Sequence, residues 1–246
     1  MGKREYKIIP INVGEFVDFE KSIFTYLRNF GQKLDAPCIV WLIWGGDEPI
    51  LVDTGPCAPD MAERLHGYKM RLTEEQDLVQ QLKRHGIEPT DINKLILTHL
   101  HWDHASNLHL FPNARIFVQA RELHYAINPL RIHRISYEVN IVPPWMSSFD
   151  RFIVLNGDQE IVPGISVHLL PGHTPGSQGV AVETSSGKYL IAGDNVDLFE
   201  NWDQQIPGAI FNDMGEYLQT FRKMAELADC ILPAHDPLVF QKEFYS

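Results

Sequence analysis

THLHWDHASNLHLFP, residues 98–112, carries four histidines within eleven positions, His99, His101, His104 and His109, with Asp103 among them. The whole chain has 11 histidines, so this stretch concentrates them. The run KLILT just upstream (94–98) reads as a buried strand. If it continues through His99 and His101, both rings point to one side, because side chains alternate along a strand. His104 follows one short turn later, beside Asp103. Imidazole nitrogens and a carboxylate oxygen suit Zn²⁺ or a similar ion. Four donors within six residues cannot all reach one ion easily, but they can feed two ions a few ångströms apart.

Two ions need further donors, and the sequence supplies them. LLPGHTPGS (169–177) sets His173 in a Gly/Pro turn after a strand. YLIAGD (189–194) places Asp194 at a strand end, and CILPAHD (230–236) places His235 at another. Strand ends and tight loops are where a layered scaffold presents site residues. The metal set is therefore His99, His101, Asp103, His104, His173, Asp194 and His235. His109 falls outside this spacing and reads as structural. His66, His85, His124, His133 and His168 read as ordinary surface or core residues.

The remaining pattern gives the frame. CIVWLIW (38–44) and PILVDTG (49–55) read as strands joined by a GGDE turn. TEEQDLVQQLKRHG (73–86) reads as one helix, with Thr73 and Gln76 as a capping box and Gly86 as its stop. ARIFVQ (114–119) is a strand, followed by a short helix. RFIVL, ISVHLL, GVAVE and KYLIAG are further strands. GEYLQTFRKMAELAD (215–229) is an amphipathic helix, and CILPAHD is a last strand ending on a histidine. Segment 127–150 is irregular and rich in Pro and Ser, which argues for a loop that covers something. Strands both in hairpins and alternating with helices predict an α/β layered protein with sheets inside and helices outside.

Composition sets the bounds. The chain has 246 residues, 44% of them hydrophobic, enough for one large domain with a full core. The net charge of -11 repels polyanions, so nucleic acid is not an expected partner. Cys38, Cys57 and Cys230 form no CxxC pair, and neither a disulfide framework nor a thiolate zinc site is indicated. The N-terminus lacks an apolar export region and misses the myristoylation pattern at Tyr6. No run approaches a membrane span. A cytoplasmic location without membrane attachment is expected.

THLHWDH, PGHTPGS, AGDN and the late AHD, with ILVDTG upstream, together resemble the metallo-β-lactamase fold superfamily. The motifs stand in its order from about Cys38 to His235. The resemblance implies a single-domain, four-layer αββα sandwich over residues 1–246, with the metals at one edge. It implies that His99, His101 and His173 hold one ion, that Asp103, His104 and His235 hold the other, and that Asp194 bridges. Asp53 in VDTG is implied to orient a ligand histidine from behind. Zinc is the first expectation for the two divalent ions, with manganese, iron or cobalt as alternatives.

Two such ions sharing a water lower its pKa and create a hydroxide nucleophile, while one of them polarises a carbonyl or phosphoryl oxygen. That is hydrolysis without a serine or cysteine nucleophile. Asp103 can touch the leaving group and Asp194 lies between the ions, so both are candidate catalytic residues. Within the superfamily the chain is most similar to the N-acyl homoserine lactone lactonases. In those, a tyrosine stands three residues after the bridging aspartate. Here the segment is AGDNVDLFENW (192–202), and the matching residue is Asp197. The expected substrate is a lactone or another small ester. The alternative is a thioester hydrolase of the hydroxyacylglutathione type, with Arg131, His133 and Arg134 as its basic residues. β-Lactam cleavage is disfavoured by the bridging aspartate, and flavodiiron chemistry by His101 where a glutamate would stand. Trp102, Asp197 and Phe199 are the candidate substrate-pocket residues. Segments 14–37 and 127–150 are candidate lids, or surfaces that pair two copies as a homodimer.

Overall fold

The computed structural model describes residues 5–246. Residues 1–4, on which the reading of the N-terminus partly rests, lie outside the described residues. Seven strands form one sheet and five form another. The first sheet contains β1 (Lys7–Glu20), β2 (Lys33–Trp44), β3 (Ile50–Val52), β4 (Met70–Arg71), β5 (Lys94–Ile96), β6 (Arg115–Gln119) and β7 (Phe152–Leu155), in the order β4-β1-β2-β3-β5-β6-β7. β1, β2 and β3 pair antiparallel, and β3, β5, β6 and β7 run parallel. The second sheet contains β8 (Gln159–Val162), β9 (Ile165–Leu169), β10 (Gln178–Glu183), β11 (Lys188–Ile191) and β12 (Cys230–Leu232), with β11 and β12 parallel. The helices are α1 (Pro59–His66), α2 (Leu78–Arg84), α3 (Trp102–Ala105), α4 (Ala120–Ile127), α5 (Phe199–Gln204) and α6 (Met214–Leu227).

Three separate apolar cores make the four layers. Strand alternation decides which core each side chain enters. In β2, Ile39, Trp41 and Ile43 point to the core between the sheets, where they meet Val167, Val180 and Val182 of the second sheet. Cys38, Val40 and Leu42 point the other way, to a core closed by Ala62 of α1, Leu78 and Leu82 of α2, and Leu123 of α4. On the far side, Ala181 and Leu190 meet Tyr217, Phe221 and Met224 of α6. The architecture is the αββα sandwich the sequence implied.

Several local expectations need correction. The helix expected over 73–86 is two pieces. Gln76 Oε1 accepts from the Thr73 backbone N–H at 2.9 Å around a 3₁₀ turn, Glu74–Gln76. Asp77 is then extended (φ -60, ψ 122) and caps α2 by accepting from the Gln80 N–H. An Asp before an apolar run competes for the cap, and here it wins. Residues 14–20 and 33–37, within the segment read as a lid or a pairing surface, are paired strand in β1 and β2; in the connection between them the Tyr26 N–H donates to the Pro207 carbonyl and the Ile23 carbonyl accepts from the Ala209 N–H. β5 ends at Ile96, and β12 ends at Leu232, so the nearby histidines stand on loops beyond the strands. No helix among the described residues is long and apolar enough to cross a membrane.

Candidate metal centre

The seven expected donors sit past the C-terminal ends of β5, β9, β11 and β12. That is the end at which parallel strands present ligands. The fold brings them into two groups. His99, His101, His173 and Asp194 offer ligand atoms within 4.8 Å of one another, as do Asp103, His104, Asp194 and His235. Asp194 belongs to both. All are buried except Asp103, which is partly exposed.

Each loop is fixed by specific contacts. Asp53, just after β3, takes a left-handed backbone (φ 63), unusual for a residue with a side chain. From there Oδ1 accepts from the Thr98 N–H and Oδ2 from the Thr98 hydroxyl, both at 2.7 Å. Oδ2 also lies 2.8 Å from His104 Nδ1. Buried Glu122 of α4 ties the two ligand loops together. It accepts from the Leu100 N–H at 2.9 Å, the Tyr137 hydroxyl at 2.8 Å and the Thr174 hydroxyl at 2.5 Å. Burial raises its pKa, and these bonds oppose the rise. Gly176 is required by this approach, since a Cβ there would lie 2.0 Å from the Glu122 backbone nitrogen.

The donor chemistry fits divalent cations. His173 Nδ1 is 2.8 Å from the Ile210 carbonyl oxygen, and His235 Nδ1 is 2.9 Å from that of Pro37. A carbonyl can only accept, so Nδ1 carries the proton and Nε2 keeps a lone pair. Asp53 does the same for His104, and the Thr98 hydroxyl, 3.1 Å from His99 Nδ1, for His99. Partners on the far nitrogen are the usual way a ligand imidazole is oriented. The near nitrogens of His99 and His104, and Asp194 Oδ1, are buried without a hydrogen-bond partner. His104 Nε2 and Asp194 Oδ1 are 2.9 Å apart, yet their alignment makes no hydrogen bond. Polar atoms that converge without bonding one another form a cation cradle.

The electrostatics agree. Burial, then the neighbouring imidazoles of His104 and His101, holds His99 well below the ordinary histidine range. Burial and His173 do the same for His101. Burial opposes a charge on Asp194, but the imidazoles of His104, His235 and His99 outweigh it and hold the carboxyl well below its usual value. Asp197 goes the other way. Burial, with the charges of Asp194 and Asp103, pushes its carboxyl well up.

A cleft opens above the donors. Its walls include Phe16, Phe19, Ile23, Phe24, Tyr68, Trp102, Ile135 and Ile210, and its floor includes Asp103, Asp194, Asp197 and His235. Of the expected pocket residues, Trp102 and Asp197 line it. Phe199 does not. Its backbone N–H is bound by Asp236 at 2.9 Å, and its ring borders surface hollows with Leu238. Tyr68 and His66 also line the cleft, with no motif around either to mark it. His66 stacks on Trp102 at 4.1 Å and 8°. Tyr217 reaches the centre through the fold, but its hydroxyl is used in donating to the Asp194 carbonyl at 2.7 Å.

The family model of the metallo-beta-lactamase superfamily matches residues 35–235. The chain belongs to this superfamily. Among its relatives, an N-acyl homoserine lactonase of Bacillus thuringiensis is 32% identical over 221 residues, 85% of this chain and 82% of that protein. The N-acyl homoserine lactonase AttM of Azorhizobium caulinodans is 30% identical over 178 residues, 68% of this chain and 66% of its own length. Among solved structures, a mutant of B. thuringiensis AiiA with N-decanoyl-L-homoserine bound at the active site aligns with a TM-score of 0.79 and 28% identity, over 97% of this chain and 96% of that one. An N-acyl homoserine lactone hydrolase with N-hexanoyl-L-homoserine at its catalytic metal center gives 0.79 and 26% over the same shares. Superfamily membership and the donor set together make divalent metal ions the cofactor of this metallo-beta-lactamase fold protein.

Proposed function

We propose that this protein is a metal-dependent lactonase that opens N-acyl homoserine lactones or closely related lactones. The observation that carries the reading is the pair of donor groups meeting at Asp194 beneath a cleft walled by aromatic side chains. Relatives named as N-acyl homoserine lactonases support it. In this reading His99, His101 and His173 hold one ion, Asp103, His104 and His235 the other, and Asp194 both. Zinc is the first choice for an imidazole and carboxylate set. Divalent ions held there supply Lewis acidity and an activated water at neutral pH.

The chain's own residues do the rest. Asp53 fixes the tautomer of His104, and Glu122 holds the Leu100 and Thr174 loops in register. Phe16, Phe19, Phe24 and Trp102 form the apolar wall that receives an acyl chain and excludes water from the reacting ester. Tyr68 and Asp197 are the polar groups of that wall suited to meet the substrate amide or ring oxygen. Segment 127–150 closes the cleft on one side through Ile135 and Ser136, the carbonyl of Ser136 accepting from the Trp102 N–H at 3.0 Å. The thioester alternative gains nothing from the structure. Arg131 and Arg134 are exposed and absent from the cleft wall, and His133 is engaged with the Tyr125 hydroxyl at 2.6 Å.

Proton release on ring opening tests the reading. Metal-loaded protein should turn over N-acyl homoserine lactones, and His101→Ala should lower kcat/KM by at least about a thousandfold. Ile135→Ala and Phe24→Ala should change the preference among acyl-chain lengths. Metal-loaded wild-type protein that opens no acyl or simple lactone would overturn the assignment and direct the same protein to thioesters.

A further inference from the structure

A smaller group of donors lies apart from the seven. Cys57, His66 and Glu138 each offer a ligand atom, all within 4.8 Å of one another, and all three residues are buried. They come from separate pieces of chain: the turn after β3, the last residue of α1, and segment 127–150. His66 Nε2 is 3.1 Å from Glu138 Oε1, with side chains 1% and 3% exposed. The other ring nitrogen, Nδ1, is buried and has no hydrogen-bond partner. Glu138 reaches this place from a left-handed backbone, φ 54, a conformation that is costly for a non-glycine residue and persists where surroundings impose it.

An ordinary His–Glu ion pair does not account for the group. A protonated His66 would neutralise Glu138 but leave the Nδ1–H buried without an acceptor. A neutral His66 leaves a buried carboxylate with no cationic partner, since no lysine or arginine among the described residues pairs with it. Either way a buried polar group goes unserved. A cation on Nδ1 resolves both problems: Nε2–H then donates to Glu138 Oε1, the ion supplies the positive charge the carboxylate lacks, and a sulfur, a nitrogen and a carboxylate oxygen form a donor set for a borderline-soft ion.

We propose that Cys57, His66 and Glu138 form a separate cation site for a thiophilic divalent ion of the zinc class. Binding replaces the thiol proton of Cys57, which leaves to solvent, so sulfur binds as thiolate. Without an ion that proton stays: burial, with the charges of Glu138 and Asp103, pushes the thiol up to about 12. The bound ion clips the turn after β3, α1 and segment 127–150 together behind Trp102, whose indole lies flat on His66.

The test is a Co²⁺ titration of the metal-stripped full-length protein, read at the thiolate-to-cobalt charge-transfer band in the near ultraviolet, with bound metal counted by mass spectrometry. The seven-donor centre contains no sulfur and cannot produce this band. Wild-type protein should show it, Cys38→Ser and Cys230→Ser should keep it, and Cys57→Ser should lose it together with one bound ion. Glu138→Gln, nearly the same shape, should weaken the cobalt affinity read at this band by about tenfold or more, with the sulfur-free cobalt bands unchanged. Wild-type protein saturated with cobalt but showing no thiolate band would overturn the proposal. So would a band that survives Cys57→Ser, or one whose affinity is unaffected by Glu138→Gln. Lactone turnover is no part of this readout, so its failure and that of the lactonase reading are separable.

Discussion

Asp53 accepts three hydrogen bonds with one carboxylate, two from Thr98 and one from His104. An amide in its place can present only one oxygen, and its NH₂ meets the donor groups of Thr98 or His104 head-on. Asp53→Asn should therefore lower the affinity of the His104 group for its ion by about 10- to 100-fold, measured by competition with a chelator, while circular dichroism shows the fold retained. An unchanged affinity would mean that His104 is oriented by packing alone. At this scale the donors were legible because HxHxDH and the strand-end His173, Asp194 and His235 have spacings that chance does not readily supply. His66, Tyr68 and Glu138 were not, since each is a single residue whose meaning comes from contacts across more than thirty positions. Phe199 shows the opposite error. It stands two residues from Asp197 in sequence, but the Asp236 carboxylate holds its backbone on the outer side, and nearness along a chain carries no direction.

PGHTPGS, between β9 and β10, was recognisable as a tight turn, but the reason for its second glycine was not. That reason is the backbone of α4, and Gly176 is the residue that lets the turn approach it. Gly176→Ala should push the turn off Glu122, costing about 1–3 kcal/mol by overpacking, and should lower Tm by several degrees for a domain of this size. It should also weaken metal binding through His173. A melting curve identical to wild type would show that the turn can shift without loss. Gly172 at φ 143, with the Tyr217 backbone 2.5 Å from any Cβ, belongs to the same turn and completes the argument for glycine there. Helix boundaries were the less legible elements. Thr73 and Asp77 both carry cap chemistry, and only the packing of Leu78 and Leu82 into the outer core decides that the helix starts at the second. β1 was overlooked because Gly14 and two register shifts interrupt its alternation.

For the whole molecule, the mixture of hairpins and strand–helix alternation made a layered α/β protein legible, while the four layers came from the superfamily motifs; CIVWLIW of β2 is apolar throughout, so its division between two cores shows only in the fold. Charge at the centre gives the molecule a pH dependence. His99 and His101 are held well below their ordinary 6.5, and His173 below it, in each case first by burial. The unfolded metal-free chain takes up protons below about 6.5 that these three cannot accept when folded. Their contribution to stability is thus complete above that pH and is lost as pH falls. His104 works in the other direction. Burial opposes its charge, but Asp194, Asp103 and Asp53 raise its pKa well above 6.5, so it favours the folded state at lower pH. The raised carboxyls of Asp197 and Glu122, both buried, act on the side of His104; if the three depressed imidazoles prevail, Tm of the metal-stripped protein falls between pH 7 and 5.5. A Tm that rises as pH falls over this range would show that His104 and the raised carboxyls dominate.

The donors are divided between the two sheets. His99, His101, Asp103 and His104 follow β5 of the larger sheet, and His173, Asp194 and His235 follow β9, β11 and β12 of the smaller. Each proposed ion is therefore a rivet through both halves of the sandwich, and neither half can hold it alone. An ion that binds only the assembled protein adds RT ln(1 + [ion]/Kd) to the cohesion of the halves. The durability of this protein is then partly a property of its surroundings: where the metal is scarce, the same chain is a weaker object.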